Sequence, residues 1–114
     1  MVEERNGQML PLGSIVYLKE GKQKIMILNR GSIVAQDGQD VIFDYMGGLY
    51  PLGFDVEHVY YFNAENIDKI IFEGFKDEEE ERFLTLYEQW LAQHETLKKG
   101  DVKRASTNSS IQTS

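Results

Sequence analysis

The feature that most constrains this chain is a change of hydrophobic period at Asp77. Upstream, apolar residues come in short runs cut by turn-forming groups, the pattern of strands; downstream they return at every third or fourth position, the pattern of a helix. Residues 14–19 are rich in β-branched and aromatic types, Glu20 and Gly21 interrupt them, and residues 24–28 follow as an apolar run too short for a helix, which together give a hairpin signal. Asn29, Arg30 and Gly31 mark a bulge or turn before a second extended piece over residues 32–36. Asp37-Gly38 is a favoured pair for a tight primed turn, with residues 40–45 as the return strand. Paired glycines and a proline over residues 46–53 predict a shaped loop that ends the ladder there. Residues 56–62 and 67–72 read as the last strands, separated by a turn opened by Asn63.

The helix carries signals at both ends. Asp77 has N-cap character, with Glu80 three residues on as a reciprocal partner, and Glu78 to Glu81 suit the positive end of the helix dipole. Lys98 and Lys99 before Gly100 suit the other end, so the helix is expected over residues 78–98. Phe83, Tyr87, Trp90, Leu91, His94 and Leu97 share one of its faces. The expected architecture is therefore α+β: a small curled antiparallel sheet or partial barrel of about five strands, then one long C-terminal amphipathic helix. Residues 1–9 read as a flexible lead-in, 10–99 as a single domain and 100–114 as a disordered tail with little to bury.

Charge and composition narrow the function. The net charge is −7, whereas holding a phosphate backbone requires clustered Lys and Arg, so neither nucleic acid nor an anionic membrane is an expected partner. Cysteine is absent, which removes disulfides and thiol chemistry and fits a reducing compartment. Met1 to Arg5 is charged and no apolar stretch follows, so neither a secretion signal nor a membrane span is expected, and the expected location is the cytoplasm.

No reaction is legible in the polar residues. The histidines, His58 and His94, make a poor metal set. The run Glu78 to Glu81 lacks the alternation and glycine turn of a calcium loop. Asp44 and Glu57 lack a second positioned group for acid–base work, and Gly47-Gly48 lacks the lysine and spacing of a phosphate loop. No cofactor, metal or small-molecule substrate is expected, and the chain reads as a binding protein. Its surplus is in rings: adjacent pairs such as Tyr60 and Tyr61 cannot share one strand face. Exposed Tyr and Trp are the types that anchor protein contacts. Met46, Tyr87 and Trp90 join the candidate contact residues on this ground.

Four stretches, residues 10–18, 43–53, 61–68 and 71–75, together resemble a family of small proteins labelled as a domain of unknown function. Its members are encoded beside LXG-domain toxins of Gram-positive type VII secretion systems. The Asp-Tyr-x-Gly-x-x-Tyr-Pro-x-Gly segment and the Phe-Glu-Gly-aromatic segment carry the likeness. The resemblance implies an accessory chaperone or targeting factor. Such a protein binds the helical N-terminal LXG domain of a toxin in the producing cell, alongside small helical LXG-associated proteins, and makes it competent for export. It places Asp44, Tyr45, Tyr50, Pro51 and Gly53, with Phe72, Glu73, Gly74 and Phe75, at the family's matching positions. For the glycines a turn-forming role competes with any contact. An immunity protein that neutralises the toxin's C-terminal toxic domain is the alternative reading.

Overall fold

A computed structural model describes residues 8–102. The expected lead-in and tail therefore fall mostly outside the described residues. Within them, Met9 packs against the core at one end and Val102 at the other, so packed chain continues past residue 99.

Among the described residues, the elements that build this α+β domain are β1 (Ile15–Leu18), β2 (Ile25–Gln36), β3 (Gln39–Leu49), β4 (Tyr60–Phe62), β5 (Ile67–Phe72), α1 (Glu78–Ala92) and β6 (Lys98–Lys99). The sheet runs β4-β3-β2-β1-β5, all antiparallel, and the two-residue β6 adds a parallel pairing on β3 at Val41 and Ile42. Its ends, β4 and β5, do not pair with each other, so the barrel does not close.

Strands β2 and β3 are the spine. Asp37 and Gly38 both take positive φ, 56° and 79°, the conformation that a primed two-residue turn demands. What reads in sequence as two pieces is one twelve-residue strand, because the register slip between Ile27 and Asn29 and the positive φ of Gly31 are absorbed as a bulge. Strand β3 also runs farther than expected, through Gly47 and Gly48 to Leu49. Close approach explains these glycines better than ladder breaking does. A Cβ on Gly47 would lie 2.6 Å from the Met26 carbonyl oxygen, and one on Gly48 would lie 2.6 Å from that of Gly53.

Two further elements are shorter than their sequence pattern. The strand expected from residue 56 begins only at Tyr60, because Asp55 accepts the Glu57 N–H at 3.0 Å and its carbonyl takes that of His58, so the chain turns. The helix expected to reach residue 98 ends at Ala92 and is followed by more chain. Gln93 and His94 donate to carbonyls three residues back, and the tightened turn releases Lys98 and Lys99 to β3. The two lysines therefore do not serve the helix dipole. Lys99 reaches Asp44 at 3.0 Å.

The core lies within the curl of the sheet: Leu10, Val16, Ile25, Ile27, Tyr45, Phe62 and Ile67. None of the side chains of α1 is buried. Apolar burial alone does not hold the helix, and the strongest polar link between α1 and the sheet is an ion pair. Arg30 of β2 makes a two-pronged bridge to Glu80, Nη1 to Oε2 and Nη2 to Oε1, the latter at 2.8 Å, with side-chain exposures of only 5% and 10%. The same guanidinium donates to the Leu10 carbonyl and sits 4.2 Å from the centre of the Phe83 ring. Asp77 caps the helix by accepting the Glu80 N–H at 3.1 Å, but Glu80 does not reach back as a capping box would, because Arg30 has claimed its carboxylate.

A charge left alone at a nearly buried site is costly, so Arg30→Ala or Glu80→Ala should each lower the unfolding free energy by about 3–5 kcal/mol in urea titrations. Replacing both with apolar residues, as in Arg30→Met with Glu80→Leu, should recover most of that loss. Single-variant losses below about 1 kcal/mol would put the pair among ordinary surface bridges.

Candidate functional site

The residues expected to meet a partner divide into three places. Asp44 and Tyr45 serve the fold. Asp44 Oδ2 accepts the Ala64 N–H at 2.8 Å and holds the Lys99 ammonium. The Asp44 N–H donates to Asn63 Oδ1, and Asn63 Nδ2 donates to the Gly100 carbonyl, so one network joins β3, the 63–66 turn and the chain after the helix. Burial alone would push the Lys99 ammonium pKa down. The hydrogen bond and charge of Asp44, helped by Glu65, hold it above its ordinary value. Tyr45 is buried, its hydroxyl accepts the Leu10 N–H at 2.9 Å, and its ring packs on Phe62. Met46 is half-buried opposite Tyr61 on β4.

Tyr87 and Trp90 belong to a ladder of rings along α1. Phe83, Tyr87, Trp90 and His94 follow one another with centroids 5.7, 6.4 and 3.9 Å apart. The ladder crosses β2 at Gly31, where any Cβ would lie 2.6 Å from the Tyr87 ring, so a side chain there would lift the helix from the sheet. His94 ends the ladder exposed, with Nδ1 donating to the Trp90 carbonyl at 2.7 Å. A cleft of about 640 Å³ lies between helix and sheet; Met9, Tyr45, Leu84, Tyr87 and Leu91 line it, together with Asp44 and Lys99.

The other candidates reach solvent in two patches. In the first, Tyr50 and Pro51 open a loop whose Leu52, Phe54 and Val56 are strongly exposed. The Lys24 ammonium lies 5.8 Å from the Tyr50 ring centre.

The second patch gathers Phe72 and Phe75, with Glu73 between them paired to Lys76 at 2.9 Å. Phe72 lies in one row with Ile15 and Met26 across β5, β1 and β2, on the face opposite the core residues Val16, Ile25 and Ile27. Phe75 lines a groove of about 540 Å³. Leu12, Leu28 and Phe83 are its apolar lining, Phe75 is one wall at 80% exposure, and Asp77 and Glu79 stand on its rim.

Local geometry sets that groove. The chain reverses at Gly13, φ +85°, and Ser14, fully buried, donates from its hydroxyl to the Pro11 carbonyl while accepting the Gly74 N–H at 2.9 Å. Gly74 packs so closely on the Leu12 carbonyl that no Cβ fits. Phe75 is thereby fixed beside Leu12.

Sequence reasoning missed Leu12, Leu28 and Glu79 in the groove and Leu52 and Val56 in the loop. A signal was present. Pro-Leu-Gly occurs at residues 11–13 and 51–53. Turn geometry accounts for the glycines, whose φ values are +85° and +91°, but asks for no leucine. Leu12 is 50% and Leu52 76% exposed.

Among the described residues, no group of three or more His, Cys, Asp or Glu is placed to hold a metal ion. No helix among the described residues is long and apolar enough to cross a membrane. Residues 9–83 match the family model described as Domain of unknown function (DUF4176). No curated protein and no solved structure matches the chain.

The Tyr87 hydroxyl offers a test of helix docking. Its pKa is pushed up from 10.0 to about 12, first by burial and then by the charges of Asp44 and Tyr45. The folded state thus prefers the neutral phenol. Stability from this site should be complete below about pH 10 and drain away as pH rises toward 12. Thermal melts at stepped pH should show Tyr87→Phe losing less stability than wild type across that window. Parallel losses would mean that Tyr87 is not sequestered against the sheet.

Proposed function

The chain belongs to the DUF4176 family, a domain of unknown function, and from that premise we propose that it is a non-catalytic accessory factor for a secreted toxin. In this reading it binds the helical N-terminal LXG domain of a type VII secretion toxin in the cytoplasm of the producing cell and keeps that domain competent for export. Small helical LXG-associated proteins take part in the same complex.

The observation that carries a binding role is the amount of large apolar surface left in water. Phe75, Leu52, Val56, Phe54 and Phe72 are 80, 76, 75, 59 and 57% exposed. Contiguous apolar patches on a small protein mark contact surfaces, since each such side chain gains about 1.5–3 kcal/mol on burial. A helical toxin domain offers the apolar stripes that these patches would cover. The link to LXG toxins rests on the resemblance of the 43–53 and 71–75 segments.

Co-expression with fragments of an LXG toxin tests the reading. The N-terminal helical domain should co-purify with it in a stable complex, and the C-terminal toxic domain should not. Capture of the toxic domain alone would replace this reading with the immunity alternative.

A further inference from the structure

The two exposed apolar patches differ in their charged surroundings. Lys22 and Lys24 border the hollow of about 360 Å³ beside Tyr50 and Leu52. The groove beside Leu12 and Phe75 is bordered by Asp77, Glu79 and Glu80 against the single cation Arg30. Three carboxylates and one guanidinium leave that rim at −2. The N-terminus of α1 offsets part of this, but a helix end is worth only about half a positive charge. The rim therefore remains negative by more than one charge.

The carboxylates are not equivalent. Glu80 is committed to Arg30 and Asp77 to the cap. Glu79 is exposed and, among the described residues, makes no ion pair. An apolar cleft with an acidic lip suits a segment that presents a large apolar side chain with lysine or arginine next to it. Both features occur together along the border between the apolar and polar faces of an amphipathic helix.

We propose that the groove formed by Leu12, Leu28, Phe75 and Phe83 docks an amphipathic helix of the partner. The helix inserts a leucine- or phenylalanine-type anchor between Leu12 and Phe75 and places a flanking Lys or Arg against Glu79. This rests on the reading of the protein as a binder of a helical domain and deepens it by naming the site and the chemistry of the bound face. All nine lining residues fall within residues 9–83, the span matched by the family. A second copy of this chain is a poorer occupant. Its complementary feature, the lysine-flanked loop at Leu52, lies on a different surface, so the contact would be head-to-tail between chains that each carry −7.

The test uses the full-length protein and two synthetic amphipathic helical peptides. Both carry leucine and phenylalanine on one face; lysines flank that face in one and glutamates in the other. Titration calorimetry should show the lysine-flanked peptide binding at least about tenfold more tightly, with affinity falling as salt screens the rim. Phe75→Ala, at a side chain already exposed and free to change without unfolding the protein, should weaken that binding by about tenfold or more. Glu79→Lys should shrink or reverse the preference between peptides. Leu52→Ala with Phe54→Ala should change nothing.

Equal binding of both peptides, no binding of the lysine-flanked one, or sensitivity to the Leu52/Phe54 change in place of Phe75→Ala would overturn the proposal. So would self-association that Phe75→Ala abolishes in sedimentation runs without peptide. The toxin experiment separates the two readings. Toxin capture that survives Phe75→Ala removes the groove and keeps the accessory role, whereas peptide binding without toxin capture does the reverse.

Discussion

The two-pronged contact between Arg30 and Glu80 is the constraint on which the arrangement of this molecule turns. No side chain of α1 is buried, and the rings of Phe83, Tyr87 and Trp90 are only partly covered. Shared apolar area is therefore only part of the tether: the Tyr87 ring sits closely over Gly31, but none of these rings is wholly withdrawn from solvent. A guanidinium bound by two parallel hydrogen bonds cannot slide. Arg30 also touches the Leu10 carbonyl and the Phe83 ring, so one side chain fixes the N-terminal segment, the spine strand and the helix relative to each other.

The geometry of the candidate groove passes through that fixed point. The groove has a sheet side, Leu12 and Leu28, and a helix side, Phe83, Glu79 and Glu80. Its width is the distance between elements that the ion pair sets. The turn that supplies Leu12 is pinned separately by the Ser14 hydroxyl, which holds Pro11 on one side and Gly74 on the other. The apolar lining is thus held in place by polar groups that are themselves largely withdrawn from solvent.

What was legible in the sequence follows the range of the interactions involved. The tight turn at Asp37-Gly38, the Asp77 cap and the α+β division are decided by residues close together in the chain, and all three are present. The errors lie where distant residues decide. Gly47 and Gly48 look like ladder breakers, yet they sit inside β3 because Met26 and the returning loop at Gly53 press on them. The helix face appears to continue to Leu97, yet Lys99 is drawn to Asp44, which is far away in sequence. Asp44 and Tyr45 carry the family likeness but support the fold from within, whereas Phe72 and Phe75 of the second motif reach solvent. Nothing in a linear pattern separates these two outcomes, since both motifs combine an acid, an aromatic and a glycine.

The acidic first turn of α1 shows why local rules can be satisfied and still leave something unexplained. A helix end equivalent to about half a charge is neutralised by one nearby carboxylate, and Asp77 supplies it while also capping. Glu80 is then required by Arg30. Glu78, Glu79 and Glu81 exceed both needs, and Glu78 and Glu81, three residues apart, are like-charged neighbours on the helix surface. Residues 73–99 hold eight acids against four bases, so the segment as a whole stays negative. Surplus like charge beside exposed phenylalanine makes sense if its neutralisation is deferred to another molecule. The same surface then stays soluble when empty, through its net charge, and gains both apolar burial and charge compensation when filled. Leu12, exposed in a turn that has no use for a leucine, stands at the meeting point of those two effects.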